Sequence, residues 1–220
     1  MSYQSGEQSE EKVLGLRDRK KVETRKRIAH ATVDVLVNEG TENATIARIA
    51  EKVNVSTRTF HNYCPHREAA LLFILNQFID EIVSMIKDAE PGQPLISVAE
   101  NIAVHFYNRP AENPNSFDTL SRLADYLRGI SAQHKEELFP RSERHFSTGI
   151  EFFSPLIQAF QQYSEREGGS LSTANALLLI NTVMFVPGTF TELSKAGNTA
   201  TEKDIRNAFR LLAGGLSQLG

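Results

Sequence analysis

The fold of this chain is decided by one stretch, residues 45–65, which reads TIARIAEKVNVSTRTFHNYCP. Ile46, Ile49 and Val53 recur at helical spacing, so the first part of the stretch predicts a short amphipathic helix. Asn54 follows, and asparagine tolerates the left-handed backbone conformation of a tight turn. The first half of the stretch therefore predicts a helix that ends in a turn.

The second half of the stretch predicts another short helix. Ser56 can accept a hydrogen bond from the next free backbone amides and start this helix, and Pro65 stops it within about two turns. Only Phe60 and Cys64 are clear inward anchors. The remaining positions carry hydrogen-bonding side chains: Thr57, Arg58, Thr59, His61, Asn62 and Tyr63. Two short helices joined by a tight turn make a helix-turn-helix, and so polar a second helix is suited to the DNA major groove.

Residues 55–68 also resemble the recognition-helix signature of tetracycline-repressor-like (TetR family) regulators, and the match extends back through the two preceding helices. It covers roughly the first third of the chain. The family usually has Gly where Asn54 stands, an aromatic residue at the positions of His61 and Cys64, and Lys at the position of Arg67. The resemblance implies a three-helix DNA-binding head with a helix-turn-helix, followed by a helical domain for effector binding and dimerisation.

The composition is that of a globular chain without disulfides. Its 220 residues allow one or two domains, and 40% of them are hydrophobic. A single cysteine excludes an internal disulfide and fits a reducing compartment. No uninterrupted apolar run approaches the roughly 18 residues that span a membrane, and the polar, acidic N-terminus is unlike a secretory signal. We therefore expect a cytoplasmic protein that has no membrane segment.

The net charge of −3 hides an asymmetry along the chain. Residues 12–67 carry twelve Lys and Arg against six Asp and Glu, whereas residues 68–220 carry twelve against eighteen. A basic first third on an acidic body is typical of a nucleic-acid-binding head, although a solvated charged face would give the same count. The densest basic run could be the exposed start of a helix or could contact phosphates; it comprises Arg17, Arg19, Lys20, Lys21, Arg25, Lys26 and Arg27.

Three segments are expected along the chain. Residues 1–16 are predicted to be a disordered arm, because they are rich in Ser, Gln, Gly and Glu and almost without apolar side chains. Residues 17–66 are predicted to form the helix-turn-helix domain, whose first helix runs from about Val22 to Asn38 and ends at the glycine at position 40. Residues 67–220 are predicted to form the helical effector-binding and dimerisation domain.

The body of the chain is also predicted to be helical, so the fold class is all-α. Every later segment has helical periodicity, and none shows the alternation of an antiparallel strand. Helices are predicted at residues 67–89, 95–108, 115–131, 141–164, 172–193 and 201–219. Pro155 is expected to bend the fourth of these helices, and Pro187 with Gly188 is expected to kink or break the fifth.

Candidate DNA contacts follow from side-chain chemistry. Arg58 could bind a guanine edge, Asn62 could bind adenine, and Thr57 could contact a thymine methyl group or a base edge. Phosphate contacts, which fix register without reading sequence, are expected from Arg25, Thr45, Thr59, His61, Tyr63 and Arg67. Thr45 could equally be a helix cap and Tyr63 could be partly core. Cys64 is interpreted as inert packing.

The resemblance also implies a small-molecule pocket among the middle helices. Aromatic walls with a few polar groups would suit a largely apolar or aromatic effector. The candidate lining residues are His105, Phe106, Tyr126, His145, Phe152, Met184 and Phe185. For most of these side chains, an ordinary place in the hydrophobic core is the alternative interpretation.

The last two predicted helices are the expected dimer surface. Residues 172–193 are apolar on more than one face, and small residues in the last helix would allow close approach. Two such helices from each of two subunits can form a four-helix bundle, and burial within one chain is the alternative. The candidate interface residues are Leu178, Val183, Phe209, Leu212 and Leu216. A two-fold dimer would read a palindromic operator in double-stranded DNA.

These observations favour a ligand-responsive transcriptional regulator, and the resemblance implies a repressor released by a small effector. The sequence has no Gly-rich phosphate loop, shared motif of paired carboxylates or metal-ligand spacing. No catalytic residue, cofactor or metal is therefore predicted. The alternatives are a helical enzyme that binds a small molecule and a DNA-binding protein that needs no ligand. The second alternative is disfavoured because the acidic helical body is larger than the head.

Overall fold

The computed structural model describes residues 15–110, 113, 116–129 and 152–217. Within these ranges the regular structure is helical, and no strand occurs. The described helices are α1 (Leu16–Glu39), α2 (Ile46–Lys52), α3 (Thr57–Tyr63), α4 (Arg67–Lys87), α5 (Leu95–Tyr107), α6 (Phe117–Gly129), α7 (Ser154–Arg166), α8 (Thr173–Lys195) and α9 (Glu202–Ser217). The predicted all-α fold is confirmed.

Helix α1 begins earlier than the sequence predicted. It starts at Leu16, not near Val22, with Gly15 as its N-cap residue. Lys and Arg are good helix formers, so the basic run continues the helix towards the N-terminus. The helix ends where predicted, at Gly40, whose φ of 91° suits glycine. The basic side chains therefore lie along a regular helix.

Two prolines of the body lie within or at the start of described helices. Pro155 is the second residue of α7, in the first helical turn, where its missing N–H leaves no hydrogen bond unmade. Phe153, the N-cap residue, separates this helix from a helical residue at position 152, and residues 141–151 lie outside the described ranges, so the predicted bend is not tested. Helix α8 runs through Pro187 without a break. Thr191 bonds through its hydroxyl to the Pro187 carbonyl at 3.0 Å in the turn that follows.

The described helices enclose two hydrophobic cores. The first core lies among α1, α2, α3 and the first half of α4, and it also takes in Leu123 of α6. The second core lies among the rest of α4 and helices α5 to α9. Ala70, Leu71 and Ile74 of α4 belong to the first core, whereas Phe78 belongs to the second. Helix α4 is therefore shared by the two cores.

Helix α7 closes the end of α4 that lies away from the first core. Arg166 donates hydrogen bonds to the carbonyls of Lys87 and Ala89 at 3.2 and 3.0 Å. Tyr163 donates to the carbonyl of Gln93 at 2.8 Å. These side chains satisfy backbone carbonyls at the last residue of α4 and in the loop that follows it.

Two described helices, α4 and α8, are long and apolar enough to cross a membrane when judged by length and composition alone. Core helices pass the same test, and 44% of the apolar window of α4 is buried against the rest of the chain. The corresponding buried share in α8 is 28%. Two such helices are weak evidence for a membrane protein.

The second core predicts a large loss of stability when Phe106 is truncated. Its ring is 1% exposed and lies with its centroid 4.4 Å from that of Phe78. Phe106→Ala should lower the free energy of unfolding by about 3–5 kcal/mol, because it leaves a cavity. Urea denaturation measures the loss. The control is Val22→Ala at an exposed position, which should cause no comparable loss, and a Phe106→Ala loss no larger than that of the control would contradict this assignment of the core.

Candidate nucleic-acid interface

The turn between α2 and α3 is built by local hydrogen bonds. Asn54 has φ of 56°, the left-handed conformation that the sequence predicted. The amide of Val55 donates to the carbonyl of Ala50 at 2.9 Å, which closes the end of α2. At the starts of the two helices, Thr45 accepts from the amide of Arg48 at 3.2 Å and Ser56 accepts from the amide of Thr59 at 3.0 Å. Both predicted helix caps are present.

Helix α3 has one buried side and one exposed side. Phe60 and Cys64 are fully buried in the first core, as predicted. The side chains on the other side range from half-buried to exposed: Thr57, Arg58, His61 and Asn62 are exposed, and Thr59 and Tyr63 are half-buried. Tyr63 packs against the first core with part of its surface. Burial of two side chains therefore turns a polar face outward.

The polar side chains of α3 differ in what they already bind. His61 places Nδ1 3.1 Å from the carbonyl oxygen of Pro65, and the Thr59 hydroxyl lies 2.8 Å from that of Ser56. Within the described part of the chain, no side-chain hydrogen bond involves Thr57, Arg58 or Asn62. The donors and acceptors of the three candidates for base reading therefore remain available, as does the hydroxyl of the half-buried Tyr63.

Helix α1 presents cations beside this face. Arg25 is exposed, and its guanidinium carbon lies 5.1 Å from the ring centroid of Phe73 on α4. Lys20, Lys21 and Lys26 are also exposed. Arg27 is exposed as well, but it donates to the carbonyl of Val53 at 2.7 Å and so ties α1 to the end of α2. The basic run therefore supplies both surface charge and one structural contact.

The cations of α2 are neutralised within the chain. Arg48 forms hydrogen bonds of 2.8 and 3.2 Å with the Glu39 carboxylate and a third with Glu51. Lys52 forms a close ion pair with Asp34 and approaches Glu39. These hydrogen bonds, the one from Arg48 first, hold the pKa of the Glu39 carboxyl below its usual value. The free positive charge of the head therefore lies on α1 and α3.

Arg67, a predicted phosphate contact, is occupied inside the molecule. Its Nη1 donates to the carbonyls of Thr41 and Ala44 at 3.2 and 2.9 Å, and its Nε donates to Glu68 at 2.8 Å. Its guanidinium also lies over the ring of Tyr126. Three acceptors and an aromatic face favour a structural role for Arg67.

The predicted effector-pocket residues do not converge in the described structure. Phe106 is buried, and Phe152 and Met184 are half-buried against the second core. In contrast, Phe185 is 75% exposed, and His105 is exposed with its Nε2 3.1 Å from the Glu81 carboxylate. The hydroxyl of Tyr126 lies at the first core, bonded to Glu68. His145 lies outside the described residues. These contacts outline no shared pocket.

The predicted dimer residues separate into two groups. Val183 and Phe209 are 3% and 1% exposed in the second core, so they cannot reach a second copy of the chain. Leu178 and Leu212 are exposed, and Phe185 and Leu211 join them as exposed large apolar side chains of α8 and α9. The side chain of Leu216 lies outside the described ones. Of the predicted interface residues, Leu178 and Leu212 thus remain available for an interface, whereas the predictions for Val183 and Phe209 conflict with their burial.

The Glu68–Tyr126 contact was not anticipated from the sequence. Glu68 was grouped with the family signature, and Tyr126 was assigned to a pocket. The sequence offered one signal: Glu68 stands beside Arg67 at the start of an apolar helix. A carboxylate buried there would need hydrogen-bond donors from other parts of the chain. The residues are 58 positions apart, so no local pattern pairs them.

Comparisons with known proteins support the fold. The chain is similar to a solved structure from Clostridium perfringens that is described as a "putative fatty acid metabolism regulator". The TM-score is 0.52 at 14% sequence identity, and the match covers 83% of this chain and 94% of the other. No protein-family model matches the chain. No curated protein matches it either.

The left-handed residue of the turn gives a test of this geometry. Asn54→Gly should preserve stability, because glycine adopts a φ of 56° without steric cost. Asn54→Val should lower the free energy of unfolding by about 1–2 kcal/mol or more, because a β-branched side chain is strained there. Urea denaturation of the two variants measures the difference. Equal stabilities would show that this turn conformation is not adopted.

Proposed function

We propose that this protein is a DNA-binding transcriptional regulator of the TetR type. One observation carries the proposal: the short helix α3 buries Phe60 and Cys64 and presents Thr57, Arg58 and Asn62 outward without internal partners in the described chain. Stability does not require such a face. A helix in the major groove needs donors and acceptors at these positions.

The surrounding charge supports the same function. Exposed cations of α1, including Arg25 and Lys26, lie on the head that carries α3, whereas those of α2 are paired with Glu39 and Asp34. Free cations near an exposed polar helix would bind the phosphates that flank the bases it reads. In this proposal residues 17–66 form the DNA-binding domain, and residues 67–220 form the regulatory domain. The protein acts in the cytoplasm.

The similar solved structure is described as a regulator, which agrees with this function. Its description also names fatty acid metabolism, and an acyl compound would be a largely apolar ligand of the kind expected from the aromatic residues of the body. We propose such an effector for this chain. The effector would favour one distance between the two DNA-binding heads of a dimer, and DNA would favour another. Bound effector would therefore shift the population of conformations towards those that do not bind DNA. The default outcome is repression that the effector relieves.

A homodimer is proposed from the exposed apolar side chains of α8 and α9. Leu178, Phe185 and Leu211 are 64%, 75% and 77% exposed, and Leu212, which follows Leu211, is 42% exposed. Leu178 and Phe185 are seven residues apart, so they lie on one face of α8. Exposed apolar side chains that share a helix face often mark an association surface. Two copies joined by a two-fold axis would read a palindromic operator.

The DNA-binding proposal is tested by selection from random duplexes. The wild-type protein should enrich an inverted repeat, and its affinity should fall as salt is added. Arg58→Ala should lose about 1–3 kcal/mol of discrimination at one base pair in each half-site. Lys87→Ala, an exposed cation at the far end of α4, is the control and should keep the wild-type preference. Failure to enrich any sequence would overturn the proposal.

The dimer is tested by changing the most exposed aromatic residue. Phe185→Glu should convert dimer to monomer, because a charge in an apolar interface is costly to bury. Sedimentation equilibrium measures the mass. Val22→Glu, which adds the same charge at a half-exposed apolar position of α1, should leave the dimer intact. A wild-type protein that sediments as a monomer, or a Phe185→Glu protein that remains a dimer, would exclude this interface.

A further inference from the structure

Helix α4 begins with an N-cap that can bind a proton. Serine, threonine, aspartate and asparagine are the common residues at this position, because their side-chain oxygens accept from a free amide of the first turn. In α4 the N-cap residue is His66, whose ring nitrogen Nδ1 accepts a hydrogen bond from the amide of Ala69 at 3.1 Å. The lone pair of an imidazole therefore caps the helix that the two hydrophobic cores share.

The hydrogen bond from Ala69 fixes the tautomer of the neutral His66 ring. A backbone amide can only donate, so Nδ1 must carry the lone pair. The one N–H hydrogen of the neutral imidazole must then lie on Nε2. A further proton can bind only at Nδ1, which is the atom that accepts from Ala69. The helix cap and the charged form of His66 therefore exclude each other.

A carboxylate lies beside the same ring nitrogen. Oε2 of Glu68 is 3.5 Å from Nδ1 of His66, whereas Oε1 accepts from Nε of Arg67 at 2.8 Å and from the Tyr126 hydroxyl at 2.9 Å. These are the ionisable groups that the described chain places at His66 and at its neighbouring carboxylate. Burial works against the ionised form of Glu68, but hydrogen bonds, the one from Arg67 first, hold its pKa below the usual value. Oε2 can therefore accept from a protonated His66 at neutral pH.

Two other histidines lack this arrangement. Nδ1 of His61 lies 3.1 Å from the carbonyl oxygen of Pro65. A carbonyl can only accept, so this Nδ1 already carries a hydrogen, and a proton that binds at Nε2 leaves the bond in place. His105 lies inside α5, where its Nε2 is 3.1 Å from the Glu81 carboxylate. Of these three histidines, only His66 holds a backbone amide with the lone pair that a proton would take.

We propose that His66 is a proton-dependent switch at the start of α4. The neutral ring accepts from the Ala69 amide and caps the helix. When Nδ1 takes up a proton from solvent, the ring releases this amide and donates through Nδ1 to Oε2 of Glu68. One hydrogen bond thus replaces another, and the first turn of α4 loses its cap. The switch follows from the contacts of the fold and does not depend on the proposed function.

The cap is tested by NMR titration of the full chain between about pH 5 and 8, the range in which histidine side chains generally change charge. In the wild type, the proton resonance of the Ala69 amide should move upfield on acidification, with the same midpoint as the His66 ring. His66→Asn is the matched variant, because asparagine caps a helix and does not titrate. Its Ala69 amide should stay constant. A constant Ala69 amide in the wild type, or an equal movement in His66→Asn, would overturn the switch.

The exchange of partners is tested in the same titration. The carboxyl carbon resonance of Glu68 should follow the His66 midpoint in the wild type and should not do so in His66→Asn. His105→Gln removes a histidine that also lies beside a carboxylate, and it should leave both the Ala69 and the Glu68 transitions unchanged. A Glu68 resonance that ignores the His66 midpoint, or transitions that disappear in His105→Gln, would refute the exchange. Because no DNA is present, failure to bind DNA would leave these results unchanged.

Discussion

The structure depends on the burial of Phe60 and Cys64 beneath helix α3. A helix of seven residues is too short to be stable in water by itself, so it exists only because these two side chains complete a hydrophobic core. Their burial also fixes the rotation of the helix about its axis. Once the rotation is fixed, the hydrogen-bonding side chains must point outward, and the surface that would meet DNA is set by packing alone.

The second constraint is the way the head distributes its charge. Glu39 and Asp34 hold the cations of α2 in ion pairs, which leaves net positive charge on α1 and around Arg58. Exposed pairs of this kind contribute little to stability. Their effect is to orient long side chains and to confine the positive field to the face that α1 and α3 share. A charge count over residues 12–67 cannot show this division, because it depends on which residues meet in space.

The sequence predicted the features that depend on neighbouring residues. Asn54, the caps at Thr45 and Ser56 and the end of α3 before Pro65 follow from short-range backbone chemistry, and the structure has all of them. Long-range features were harder to predict. Val183 and Leu178 belong to the same apolar helix, and only the packing of α5 and α7 decides that the first is buried. The contact of Tyr126 with Glu68 likewise depends on where α6 lies. No pattern within one helix contains that information.

Cys64 has a practical consequence for studying the protein. It is the only cysteine in the chain, it is fully buried under α3, and burial raises the pKa of its thiol. The thiolate is the reactive form, so alkylating reagents and mild oxidants should spare the intact fold. Modification would then require the three-helix unit to open. The rate at which the native thiol is modified therefore reports how often the unit opens. Cysteines introduced elsewhere could carry fluorophores or spin labels while Cys64 stays in place.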